Sequence, residues 1–305
     1  MLTAVLSRAE VSRHMQALHL LTEVRQAFAT RALVGTEQSS FDAPSGNGPT
    51  VVRQGTHPSI AAWSLMVRAA LPASSKSSGS LLQLHERESG QVLAVMDGGH
   101  LTALRAAVVG ALAADVLAQP EARNVALLGT GPAVSSALKA LRLVRTLERV
   151  TLYDFDLAAS TEQALRLHQT LSARVRACET PEEAVSRADL VVLAGPVPLP
   201  TDCLAPGAHV TVMSAEKHLV SPLPPNLMER ARCFCDDTRA PMPWAPKMAG
   251  DLAQVLGGAV PARTSPEQVT VFFSIGPPFL DLVAAWHVYE GAKADETLTR
   301  LDLEA

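Results

Sequence analysis

The chain has 305 residues, 48% of them apolar, and a formal charge of −4. That is enough hydrophobic material for one large or two medium domains, and two is the better starting division. The charge balance, with Lys and Arg scattered, leaves no electrostatic footprint for nucleic acid, so no such partner is expected. The start, MLTAVLSRAEVSRHM, meets a charge within eight residues. No later run is read as reaching the ~20 apolar residues of a membrane span. A soluble, cytoplasmic protein with no membrane partner is the expectation. Cys178, Cys203, Cys233 and Cys235 have neither zinc-site spacing nor disulfide-scaffold density, so no metal site is expected.

Residues 10 to 33 carry apolar positions at helical spacing (Val11, Met15, Leu18, Leu21, Val24, Phe28), which predicts one amphipathic helix or two short ones. Ser39 to Thr50, rich in Ser, Gly, Pro and Asn, reads as a surface loop. Between Trp63 and Met96 the runs WSLMVRAAL, SLLQLHE and QVLAVMD read as antiparallel strands. From Leu101 to Leu117 the chain is alanine-rich and helical, and Pro120 closes it. Strand and helix then alternate: VALLG, a helix from Ala133 to about Thr146, VTLYD, a helix from Leu157 to Leu171, VRAC, a short helix from Pro181 to Arg187, then LVVLAG, HVTVMS and RCFCDD. Short β-runs interleaved with helices predict a mostly parallel sheet covered on both faces. In RCFCDD, Cys233 and Cys235 flank Phe234 and should pack, reduced, on one face of a buried strand. The tail from Pro277 to Lys293 is helical and read as amphipathic. Of the histidines, His57 follows Thr56 and precedes Pro58 on a loop and is expected to be exposed. His100 and His209 are expected to serve turns.

The segment Asn124 to Asp154 carries the most specific chemistry. An apolar strand, Asn124 to Leu128, runs into Gly129-Thr130-Gly131, and a helix opens at Pro132-Ala133-Val134. Gly129 permits the tight turn, Gly131 lets backbone approach a pyrophosphate, and the amides of the helix start attract that anion. Pro132 in the first turn sacrifices no needed donor. The next strand ends at Asp154, 23 residues past Gly131, where a carboxylate can accept from the adenosine ribose. This acid favours NAD over NADP, since a 2′-phosphate would sit against its charge. Asp156 is the competing ribose candidate and is read as an exposed loop acid. Val134 is bulkier than the third glycine of the fingerprint.

Several motifs together make the chain resemble the ornithine cyclodeaminase/mu-crystallin family: LSRAEV, VLAVMDGGHLTALRAAVVGALAADVLAQPEARNVALLGTG, LAPGAHVTVMSAE, RARCFCDD and TSPEQVTVFFSIGPPFLDLVAAWHVYE. The resemblance implies an α/β fold in which a Rossmann-type NAD(P)-binding domain, residues 115–275, is inserted into an α+β substrate-binding and dimerisation domain, residues 1–114 plus 276–305. It implies a homodimer and a small imino- or amino-acid substrate. Arg105, in LTALR, matches the family arginine that grips the substrate carboxylate, a task suited to a guanidinium fork. Arg53 falls in the region of a second such arginine. Glu216 stands where the family has an acid/base aspartate, one methylene longer. Met66 stands where the family has a lysine, with Arg68 the nearest cation on the same strand face.

Three functions follow. The first is an NAD(P)-dependent imine/ketimine reductase or amino-acid dehydrogenase passing hydride between nicotinamide and an α-carbon. The second is an ornithine cyclodeaminase, against which Met66 argues. The third is a catalytically inactive binding protein that keeps the nucleotide fold.

Overall fold

The computed structural model describes residues 2–34, 38–43, 50–69, 79–213, 223–240 and 247–303. In chain order the elements begin with β1 (Thr3–Leu6), α1 (Arg8–His14), α2 (Ala17–Val34), β2 (Gln38–Ala43), β3 (Thr50–Thr56), β4 (Ala62–Arg68), β5 (Ser80–Glu86), β6 (Val92–Asp97) and α3 (Gly98–Leu117). There follow β7 (Asn124–Leu128), α4 (Pro132–Leu141), β8 (Arg149–Tyr153), α5 (Leu157–His168), β9 (Arg174–Ala177), α6 (Pro181–Val185), β10 (Leu190–Leu193) and β11 (His209–Val212). The last are α7 (Pro225–Arg230), β12 (Arg232–Cys235), β13 (Gly250–Asp251), α8 (Leu252–Leu256), β14 (Thr270–Phe273), α9 (Pro278–Ala292) and β15 (Thr299–Leu301). Two compact units result, one of Met1–Arg105 with Gly276–Ala305, the other of Ala106–Ile275.

In the first unit a mostly antiparallel sheet has the order β15-β1-β6-β5-β4-β3-β2. Its register sets two rows on one face: Gly55, Ser64, Leu84 and Ala94, then Arg53, Met66, Leu82 and Met96. Helix α9 lies on this face, and its first turn comes so close to β3 that a Cβ at Gly55 would stand 2.3 Å from the Pro278 carbonyl oxygen. Glycine is therefore required where the two backbones meet. Phe279 anchors the helix: it meets Phe28 of α2 edge-on at 5.4 Å, and Arg31 lies 5.1 Å above its ring. A capping box between Ser7 and Glu10 starts α1, and the chain breaks at Met15 before α2 resumes.

Several expectations are corrected here. The segment read as a loop from Ser39 contains most of β2, which pairs along β3 from Gly55 back to Thr50. Its polar composition hid it, because an edge strand is held by backbone ladder bonds and need not carry an apolar stripe. Residues 44–49 of that segment lie outside the described residues. The tail helix is buried on every side from Pro278 to Ala285 and so is not amphipathic there. His57 is buried, its Nε2 3.2 Å from the Ala27 carbonyl and its ring stacked on Phe279. Helix α3 is long and apolar enough by composition to cross a membrane, contrary to the sequence reading. Yet 61% of its apolar window is buried within the protein, as in a core helix.

The second unit is an all-parallel sheet of order β13-β12-β14-β11-β10-β7-β8-β9. Its central strands β10, β11 and β14 are buried along their whole length, as a parallel sheet covered on both faces demands. This is a Rossmann-type arrangement, with strand order reversing between β7 and β10. Cys233 and Cys235 are free and buried on β12, and burial pushes the Cys233 thiol up to about 11. The helix read to Thr146 ends at Leu141. Asp156 is not a loop acid but the N-cap of α5, accepting from the Ala159 amide at 3.0 Å.

His209 does not serve a turn. It is buried at the start of β11, its ring nitrogens 2.9 Å from Thr270 Oγ1 and 3.1 Å from Thr211 Oγ1. Burial, aided by the charges of Arg263 and Arg145, drives its pKa from the ordinary 6.5 down to about 3. Between those values the unfolded chain binds a proton that the folded chain refuses. Stability from this site is therefore complete above pH 6.5 and falls by up to about 1.4 kcal/mol per unit as pH drops toward 3. Urea denaturation between pH 4 and 7 should show this slope, and His209→Gln should flatten it.

Candidate functional site

The glycine loop after β7 has the geometry its sequence calls for. Gly129 (φ +109°) and Gly131 (φ +95°) both occupy the left-handed region, where side chains are strained. Gly129 also packs against the end of β10, where a Cβ would meet the Gly195 amide nitrogen at 3.1 Å. A Cβ at Gly131 would meet nothing within 4 Å, so its backbone faces open space that a phosphate group can approach. Pro132 opens α4 and has no N–H, which leaves the amides of Ala133 and Val134 as the donors of that first turn. Val134 itself is fully buried, so the bulkier residue is absorbed by the packing of the helix.

Asp154, just past the end of β8, is fixed on both oxygens. Oδ2 accepts from the Thr130 hydroxyl at 2.9 Å and Oδ1 from the Asp156 amide at 3.1 Å. The carboxylate is thereby tied to the middle residue of the glycine loop. Gln163 of α5 adds a link that sequence reasoning missed: its Oε1 accepts from the Gly131 amide at 2.8 Å, and its Nε2 reaches the Gly131 carbonyl and Ser135 Oγ. Nothing in a helical Gln distinguishes it in sequence. The cradle, the helix start and the acid fit a dinucleotide, with pyrophosphate at the loop and ribose at Asp154.

In the first unit, Arg105 is buried to 2% exposure, and its Nε lies 3.0 Å from Oδ1 of the equally buried Asp281 on α9. Among the described residues, Nε and Nη1 of Arg105 and both Asp281 oxygens have no aligned hydrogen-bond partner. Burial pushes the Asp281 carboxyl above its ordinary range, while the charges of Arg105, Arg53 and Arg68 pull it down. The guanidinium lies against Gly276 (φ +73°), where a Cβ would stand 2.7 Å from Nη2. Arg53 donates from Nη1 to the Gly276 carbonyl at 3.1 Å. Arg53 and Arg105 thus converge on one glycine.

Met66, in the same row as Arg53, is buried, and the Thr102 hydroxyl donates weakly to its sulfur at 3.7 Å. The position is filled by a packed thioether rather than a cation. Arg68 lies two residues on, half-buried. Glu216 lies outside the described residues. Asp281 and Gly276 were not singled out from sequence. Among the described residues no group of His, Cys, Asp and Glu side chains is placed to hold a metal ion.

One unit therefore carries a Rossmann sheet with a dinucleotide-type cradle, and the other gathers arginines around a buried carboxylate. The chain belongs to the ornithine cyclodeaminase/mu-crystallin family, whose model matches residues 69–296. It is 30% identical to the ketimine reductase mu-crystallin of Mus musculus over 68% of this chain and 67% of that protein. Among solved structures it resembles the Δ1-pyrroline-2-carboxylate reductase of Thermococcus litoralis, in complex with NADH and L-proline (TM-score 0.89, 19% identity, 98% of this chain and 100% of that one). It also resembles the iminosuccinate reductase of Paracoccus denitrificans, in complex with NAD+ (TM-score 0.87, 22% identity, 99% and 100%). At these identities the structural likenesses establish the fold.

Proposed function

We propose that this protein is an NAD-dependent oxidoreductase that reduces a small cyclic or acyclic imino acid, or oxidises the matching amino acid. The observation that carries the reading is the Gly129–Asp154 unit in a chain of this family: an open glycine cradle with its acid held in place by Thr130. NADH, when bound, supplies a hydride to the α-carbon of the substrate's C=N bond. The chain's own residues do the rest. Gly129, Thr130, Gly131, Pro132, Ala133 and Val134 form the pyrophosphate loop, and Asp154 takes the ribose and disfavours a 2′-phosphate. Arg105, with Arg53, holds the substrate carboxylate, and Met66 and Arg68 line the same strand face. Glu216 delivers to nitrogen the proton that balances hydride addition at carbon. Its carboxylate suits that step by the family match.

The first unit is read as the substrate and dimerisation domain and the second as the dinucleotide domain. The outer face of the first sheet supports a homodimer: Val52, Leu65, Val67 and Val95 are half-buried and Leu81 is 46% exposed. Free cysteines suit a reducing, cytoplasmic setting.

The reading is tested by following NADH absorbance with Δ1-pyrroline-2-carboxylate, and by assaying ammonia release from ornithine. Imine-dependent NADH oxidation without ammonia release is expected, since Met66 replaces the lysine of the cyclodeaminase pattern. Ammonia release would favour cyclodeamination. NADH binding with neither reaction would favour a binding protein that has lost the chemistry.

A further inference from the structure

We propose that Asp281 is a positioning residue for the carboxylate site: it anchors Arg105 by the Nε edge, so that the Nη1 edge remains presented to the ligand. The inference rests on the reading of Arg105 as the carboxylate clamp. A buried ion pair is ordinarily completed by hydrogen bonds to its remaining donors and lone pairs, because desolvating two charges is expensive. This one is not. Both side chains are sealed from solvent, Nε and Oδ1 are 3.0 Å apart, and yet among the described residues Nε and Nη1 of Arg105 and both carboxylate oxygens lack aligned partners. Of these groups Nη1 is a buried donor facing away from the Nε–Asp281 pairing, and an anionic group arriving at it would supply the missing acceptor.

The surroundings restrict how the guanidinium can lie. Gly276 offers a flat surface with no Cβ against Nη1, Nη2 and Cζ, and any side chain there would displace the fork. Arg53 fixes the same residue by its carbonyl. Three cations, Arg105, Arg53 and Arg68, act on the single carboxylate of Asp281. Gly276 limits the plane of the fork, and the Asp281 charge at Nε selects its direction about the Cδ–Nε bond, which a directed grip on a carboxylate requires. The ligand class is then a compact α-carboxylate, and Asp281 acts on it only through Arg105.

The test compares L-proline with L-prolinamide, identical but for the carboxylate, binding to the NADH-loaded protein, for wild type, Arg105→Gln, Asp281→Asn and Gly276→Ala. Wild type should prefer proline. Asp281→Asn keeps the shape and removes the charge. It should lower that preference by roughly 10- to 100-fold, the usual effect of removing the group that orients a ligating side chain, and leave NADH affinity unchanged. With the imine substrate it should raise KM and spare kcat. Gly276→Ala, which keeps both charges and tilts the fork, should act in the same direction. A variant that loses melting temperature but keeps the preference for proline would assign Asp281 a structural role only and overturn the proposal. If Asp281→Asn does not fold, Asp281→Glu, which keeps the charge and moves it by one methylene, takes its place: an unchanged preference for proline overturns the proposal, and a lowered one upholds it. If Arg105→Gln itself leaves the preference intact, the clamp reading fails, independently of Asp281.

Discussion

Replacing Arg105 with Gln is expected to raise KM for the imino-acid substrate by about 10²- to 10³-fold, with a smaller change in kcat. Arg105 is buried, and its Nη1 has no partner among the described residues, so a bound carboxylate meets a desolvated, unspent donor. Removing one member of a buried charge pair costs about 2–5 kcal/mol, or about 30- to 4,000-fold, a range that brackets the fold-change stated. A clamp that grips ground and transition state alike changes KM in preference to kcat. Lysine should recover only part of the loss, because an ammonium cannot form two parallel bonds to a carboxylate. The substitution also strands Asp281 as a lone buried carboxylate, so the melting temperature should fall. The double variant Arg105→Gln with Asp281→Asn should regain stability without regaining substrate affinity. Steady-state kinetics and thermal melts on the three proteins check both halves.

Replacing Asp154 with Ala is expected to weaken NADH binding by about 10- to 100-fold and to narrow or reverse the preference over NADPH. The carboxylate is pre-set by the Thr130 hydroxyl and the Asp156 amide, so no ordering is needed when a ribose arrives. Hydrogen bonds to a charged acceptor contribute about 1.5–3 kcal/mol, which gives that range. The same charge repels a 2′-phosphate, and its removal should therefore help NADPH as it harms NADH. Fluorescence titration with both nucleotides measures this directly. Equal losses for the two would mean that Asp154 only braces the glycine loop.

The second unit was far more legible in the sequence than the first, for a physical reason. The inner strands β7, β8, β10, β11, β12 and β14 are short and mostly buried runs, because a parallel sheet is covered on both faces, and Gly, Pro or acidic residues punctuate them. Gly129, Gly131 and Asp154 stand out because backbone conformation and charge limit what can occupy them. The first unit depends on pairings between distant segments. Gln38–Ala43 is a strand only because β3 lies beside it, and its composition carries no trace of that. His57 looked like a loop histidine until Phe279, more than two hundred residues later, was placed on its ring. Asp281 had the same defect. Within PPFLDLVAAW an acid one turn into a helix reads as a solvated, dipole-matched residue, and only the close approach of α9 to Gly55 shows that this helix has no solvated side in its first half. Motif matching located Arg105, but the carboxylate opposite it could be seen only in three dimensions.

The central claim, an NAD-dependent reduction at an α-carbon, is tested most directly by following the hydride. The protein would be incubated with 4-deuterated NADH of each stereochemistry and Δ1-pyrroline-2-carboxylate, and the proline formed analysed by mass spectrometry and NMR. The account predicts one deuterium at the α-carbon from one NADH stereoisomer, in a one-to-one ratio with NADH consumed. Proline carrying no deuterium, or NADH consumed without any amino acid formed, would contradict it.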